Sequence, residues 1–151
     1  MGDAADDLKL GLLTDAAFAG DHETMRSASG VVLVLYGPHS FFPLCGQSKK
    51  QTAVSHSIVE AELVSCDLGL RTMGLPALTL WEVLLGRPPK LDLYQGTQAT
   101  MRILQTGKAP TLRHIKRTHQ VSIAWLHERI GDPQIELHGC ITDVMAADIF
   151  T

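Results

Sequence analysis

Three carboxylates, Asp15, Glu62 and Asp148, are the residues on which chemistry in this chain would rest. Asp15 follows the apolar run from Leu10 to Leu13. Glu62 lies in Val59-Glu60-Ala61-Glu62-Leu63, and Asp148 in the closing Ala146-Ala147-Asp148-Ile149-Phe150-Thr151. So far apart in sequence, they act together only if a fold gathers them. The chemistry that needs such a gathering is divalent-metal binding, because Mg²⁺ takes hard oxygen ligands and serves in cutting phosphate esters. Each also has an ordinary reading. Asp15 fits a turn or strand end, Glu62 an ordinary helix face, for which Glu60 is an equal candidate, and Asp148 a helix cap that favours the helix dipole.

The elements that must position these residues follow from periodicity. Leu8 to Phe18 reads as a first strand, and Val31 to Tyr36 as a second, too continuously apolar to have a wet face unless it is covered. Ser40 to Gly46 reads as a third strand, with Pro43 implying an edge or a bulge. Short turns join the three as an antiparallel meander. From Ser57 to Leu70 the period changes, with Val59, Leu63, Cys66 and Leu70 on one helical stripe and Glu62 beside it. Pro76 interrupts the pattern, and a second helical piece over Leu78 to Leu85 ends at Gly86. A short strand at Leu91 to Tyr94, a helix at Gln98 to Gln105, a helix from Thr118 to Arg129, a fifth strand at Gln134 to Cys140 and a helix start at Ala146 complete the order. Trp81, Trp125 and the Phe41-Phe42 pair read as core. The expected fold is α/β: a five-stranded mixed sheet, a meander followed by parallel strands, flanked by helices.

With 151 residues, 45% apolar and 19% charged, the chain has one domain's worth of material and an ordinary globular composition. Residues 1–9 read as a flexible acidic tail and 10–151 as the domain. A formal charge of −3 excludes a uniformly basic nucleic-acid binder but leaves room for a local basic face. Candidates for that face are Lys49, Lys50, Arg113, His114, Lys116 and Arg117, which could track a phosphate backbone or simply be solvated charge. Cys45, Cys66 and Cys140 form neither a disulfide framework nor a CxxC site. His114 and His119, five apart, make no zinc motif on a shared helix face. The start is acidic rather than signal-like, and no uninterrupted apolar run approaches a membrane span. The expectation is an intracellular protein, cytoplasmic or nuclear, without a membrane partner.

The local motifs narrow the reading. Thr14-Asp15-Ala16-Ala17-Phe18-Ala19-Gly20-Asp21 resembles the TDADWAGD box of copia-type LTR retrotransposon polyproteins, and Ser27-Ala28-Ser29-Gly30 the STSG that follows it. Ser48-Lys49-Lys50-Gln51 matches SKKQ, and Val59-Glu60-Ala61-Glu62 resembles the STEAEY helix start. Arg113-His114-Ile115 is similar to KHI, and Ala147-Asp148-Ile149-Phe150-Thr151 matches ADIFT. Each is weak alone; six in the right order, from about Gly11 to Thr151, are specific. The resemblance is to the ribonuclease H domain of the reverse transcriptase, and it implies a ribonuclease H-like fold.

In that family, hydrolysis of the RNA strand of an RNA–DNA hybrid uses four carboxylates and two Mg²⁺ or Mn²⁺ ions. Carried over, Asp15, Glu62 and Asp148 are the catalytic, metal-holding carboxylates. The fourth belongs to a YCDNQ-like segment, where this chain has Tyr94-Gln95-Gly96-Thr97-Gln98, so Gly96 marks a lost ligand. Further departures are Ala17, Ile58, Lys116, Ile141 and Met145, which replace an aspartate, a serine or threonine, an acidic residue, a proline and a glutamine. The implied partners are an RNA–DNA hybrid or other nucleic acid, and the remainder of a reverse transcriptase polyprotein. The implied state is one retained ion and impaired hydrolysis, with Asp92 and Asp143 as possible replacements for the missing carboxylate. The alternative is a catalytically inactive module that binds nucleic acid or is purely structural.

Overall fold

A computed structural model of the chain describes residues 2–20 and 22–139. The strands are β1 (Lys9–Ala17), β2 (Ala28–Tyr36), β3 (Phe41–Lys50), β4 (Leu91–Gln95) and β5 (Ile135–Gly139). The helices are α1 (Ile58–Gly69), α2 (Leu75–Leu85), α3 (Gln98–Thr106), α4 (Ile115–Thr118) and α5 (Ile123–Ile130). The sheet order is β3-β2-β1-β4-β5. The first three strands are antiparallel, while β4 joins β1 and β5 joins β4 in parallel. This is the five-stranded mixed sheet that the periodicity predicts.

Strand alternation assigns every residue to a face. Leu10 and Leu12 of β1, Val31 and Leu33 of β2, Leu91 and Leu93 of β4 and Ile135 of β5 enter one core with Leu63, Cys66 and Leu70 of α1 and Leu104 and Leu126 of α3 and α5. The opposite face carries Leu13, Val32 and Val34, with Tyr36 and Tyr94 packed against them. Helix α1 comes close to the sheet because Gly69 has no side chain. A Cβ there would lie 2.7 Å from Thr14 Cγ2 and 3.1 Å from Val31 Cγ1. That contact sets the depth at which α1 rides over β1.

Local chemistry fixes the helix ends. Ser57 Oγ accepts the Glu60 backbone N–H and caps α1. Gly86 and Gly107 end α2 and α3 in left-handed conformation. A π-helical segment, Leu70–Gly74, joins α1 to α2, so the interruption expected at Pro76 is a widened turn. Pro76 lies in the first turn of α2, where its missing N–H costs least.

Three expectations are corrected. The third strand runs on to Lys50, which puts Lys49 and Lys50 in β3 opposite Ser29 and Ala28. The single helix expected from Thr118 to Arg129 is two: Gln120 takes φ 58 and Ser122 caps a new start at α5. Phe41 and Phe42 are not core. They are 61% and 55% exposed on the edge strand, whose register shifts beside Pro43. Apart from these, the helical run Ile58–Leu85 is long and apolar enough, by length and composition alone, to cross a membrane, although charged residues interrupt it. Its α1 half packs on the sheet with Glu60, Glu62 and Asp67 buried, so core packing accounts for the apolar character of that half.

Candidate functional site

Asp15 lies near the carboxyl end of β1, half-buried, on the face shared by Gly11 and Leu13. β1 and β4 run side by side towards this end, and their last recorded pair is Leu13 with Tyr94. β4 ends at Gln95 and Gly96 follows it, so position 96 lies at the same end of the sheet as Asp15.

Glu62 arrives from the other side of the sheet on α1 and is 3% exposed. Its place follows from a run of contacts. The Cys66 thiol, one turn further along α1, feels the negative charge of Glu62 and is hydrogen-bonded by Gln95, the residue before Gly96. Gln95 in turn donates to Thr14 Oγ1, beside Asp15. Burial, before either neighbouring acid, pushes the Cys66 thiol far above its ordinary value, which leaves it a core thiol and no nucleophile. Asp148 lies outside the described residues, as does Asp143. Asp92 is described, and it does not fill the gap at 96. It pairs with Gly11, four residues before Gly96, about 13 Å away along a strand at ~3.3 Å per residue.

The helix start that carries Glu62 is held by a cluster that sequence spacing does not reveal. Glu60, fully buried, accepts the His56 backbone N–H at Oε2, 2.8 Å away. Its Oε1 lies 3.2 Å from His119 Nε2 and 3.4 Å from His114 Nε2. The His56 ring stands edge-on to His114 at 5.5 Å. The histidines that make no metal motif along the sequence thus converge on one carboxylate. The hint in the sequence was Ser57-x-x-Glu60, a capping-box pattern.

Burial lowers the His119 pKa, and the neighbouring His114 and His56 act in the same direction; the Glu60 charge opposes them without winning. The folded protein therefore binds this proton less readily than the unfolded chain, whose histidine titrates near ~6.5. The stability held by neutral His119 is complete above that pH and declines as pH falls through it towards the lower folded value. Urea denaturation at neutral and mildly acidic pH should show the decline, and His119→Gln should flatten it.

The basic candidates divide into two groups. Lys49 and Lys50 line a cavity of about 340 Å³ with Asp67 and Arg71 of α1 and its continuation, and with His119 from the end of α4. Arg113 and Arg117 are exposed around α4, whereas His114 is turned towards Glu60. The cavity thus lies between the end of β3 and the segment that follows Arg117.

No protein-family model and no curated protein matches the chain. Solved structures do. LC11-RNase H1 in complex with an RNA/DNA hybrid superposes with a TM-score of 0.63 at 17% identity, over 94% of this chain and 93% of that one. RNase H1 of the archaeon Halobacterium salinarum gives 0.61 at 12% identity, over 94% and 93%. The protease-reverse transcriptase of prototype foamy virus gives 0.53 at 15% identity, with 95% of this chain matching 20% of that longer one. The fold is ribonuclease H-like.

Proposed function

We propose that this chain is the ribonuclease H-type module of a copia-like retroelement polyprotein, one that binds RNA–DNA hybrid and hydrolyses it poorly or not at all. The observation that carries the reading is Gly96, which holds the motif position of the fourth carboxylate just past the end of β4, the strand paired with the Asp15 strand, and contributes no oxygen. The ribonuclease H-like fold supports it, as does the neighbour solved with an RNA/DNA hybrid. Asp15 and Glu62 are hard oxygen donors suited to Mg²⁺ or Mn²⁺. With Asp148 they would hold one ion, which would polarise a phosphate oxygen. The ion that needs the fourth carboxylate loses a ligand and a negative charge.

Lys49, Lys50, Arg113 and Arg117 are the residues assigned to the phosphate backbone, and His114 acts beside them chiefly through Glu60. The test is fluorescence anisotropy with a labelled RNA–DNA hybrid, alongside a cleavage assay in Mg²⁺ and Mn²⁺. Binding should weaken as salt rises, and Lys49→Ala with Lys50→Ala should make that dependence shallower by about one to two phosphate contacts. Cleavage should be slow or absent. A chain that does not bind hybrid, or binds it no better than duplex DNA, removes the reading.

A further inference from the structure

A second cluster of ligand-type side chains stands on the sheet face opposite α1, away from the position of Gly96. Asp92 of β4 pairs in parallel register with Glu136 of β5, and His138 follows two residues later. Alternation puts all three on one face. One ligand atom from each lies within 4.8 Å of the other two. His138 Nε2 is 3.0 Å from Asp92 Oδ1 and 3.8 Å from Glu136 Oε1. We propose that Asp92, Glu136 and His138 form a divalent transition-metal site of the Zn²⁺ class, separate from the carboxylate site at Asp15 and Glu62.

The donor set argues for the class of ion. One imidazole nitrogen with two carboxylates suits Zn²⁺ or Co²⁺, whereas Mg²⁺ prefers oxygen alone. The surroundings argue for a formed site. Asp92 is 3% exposed, and the Tyr36 hydroxyl donates to its Oδ2, leaving Oδ1 directed at His138. Tyr36 and Tyr94 share a hydrogen bond of 3.0 Å between their hydroxyls, and the Tyr94 ring stacks on His138 at 5.2 Å. Two of the three ligands are therefore held by neighbours, as outer partners hold metal ligands in general. Glu136 is exposed and free to close onto an ion, which leaves a fourth position for water. The ion pairs described for Asp92 and Glu136 are both with His138, so a cation would replace a proton there and displace no lysine or arginine. Its structural effect would be to clip the edge strand β5 to β4.

The test is calorimetric titration of the metal-free full chain with ZnCl₂ in excess Mg²⁺, which occupies oxygen-only sites, paired with Co²⁺ absorption. One ion should bind, with visible bands of imidazole-containing ligation and a rise in the thermal unfolding midpoint. His138→Gln keeps a hydrogen bond to Asp92 but cannot supply the imidazole. It should weaken Zn²⁺ binding at least about tenfold and abolish the bands while leaving the metal-free fold intact. Glu136→Gln should weaken binding similarly, and Asp15→Asn should leave it unchanged. The proposal is overturned if the chain takes up no Zn²⁺, if His138→Gln binds it as well as the parent, or if Asp15→Asn removes it.

Discussion

Gly96→Asp is expected to raise the rate of RNA–DNA hybrid cleavage in Mg²⁺ by about 10²- to 10³-fold. The figure follows from the several kcal/mol that a properly held ion contributes at a phosphoryl centre, at a factor of ten per ~1.4 kcal/mol. The backbone permits the change. Among the described residues the positive-φ glycines are Gly86 and Gly107, so Gly96 already holds a conformation open to aspartate. The new carboxylate would stand at the end of the sheet where β1 delivers Asp15. Asp15→Asn in the same background should return the rate to that of the parent. If Gly96→Asp folds, binds hybrid and gains nothing, position 96 is not the missing ligand.

Glu60→Ala is expected to cost about 3 kcal/mol or more of folding stability, read as a fall in the urea midpoint. Each buried hydrogen-bonding partner left without Glu60 costs ~1–3 kcal/mol, because it has lost water and gained nothing. Here the partners are the His56 N–H, His119 with its side chain 1% exposed, and His114. Glu60→Gln, which can still accept from His56, should cost less. The effect should reach the site as well, since Glu62 lies two residues along the same helix start. A loss within ~0.5 kcal/mol would show that the cluster bears no weight.

The sheet and its main helix were legible because their signals are local. Continuous apolar residues mark β2, the spacing of Leu63, Cys66 and Leu70 marks α1, and Pro43 marks an edge with a bulge. What escaped reading depends on pairing or on a single backbone torsion. No period announces that Gln120 turns left-handed and splits a helix, although Ser122 was a usable capping signal. Phe41 and Phe42 are as apolar as any core pair; exposure came from the position of β3 in the sheet order, which composition does not encode. The approach of His114 and His119 to Glu60 is likewise a property of the tertiary fold. For the candidate catalytic residues, the motifs nominate Asp15, Glu62 and Asp148, with Gly96 as the lost ligand. That Asp15 and Gly96 lie at the same end of neighbouring strands needed the β1–β4 pairing. Glu136-x-His138 was readable as one face of a strand, but its meeting with Asp92 needed the β4–β5 register.

The outer strand β3 has a bearing on how copies of this protein behave in concentrated solution. An exposed edge carrying Phe41, Phe42 and Leu44 is a template on which another chain could add a strand. Pro43 withholds one donor from that template, and the register shift beside it bends the edge away from flatness. Lys49 and Lys50 add like charge at the far end, so that two such edges brought together would repel. The same ten residues that close the meander thus also oppose edge-to-edge assembly.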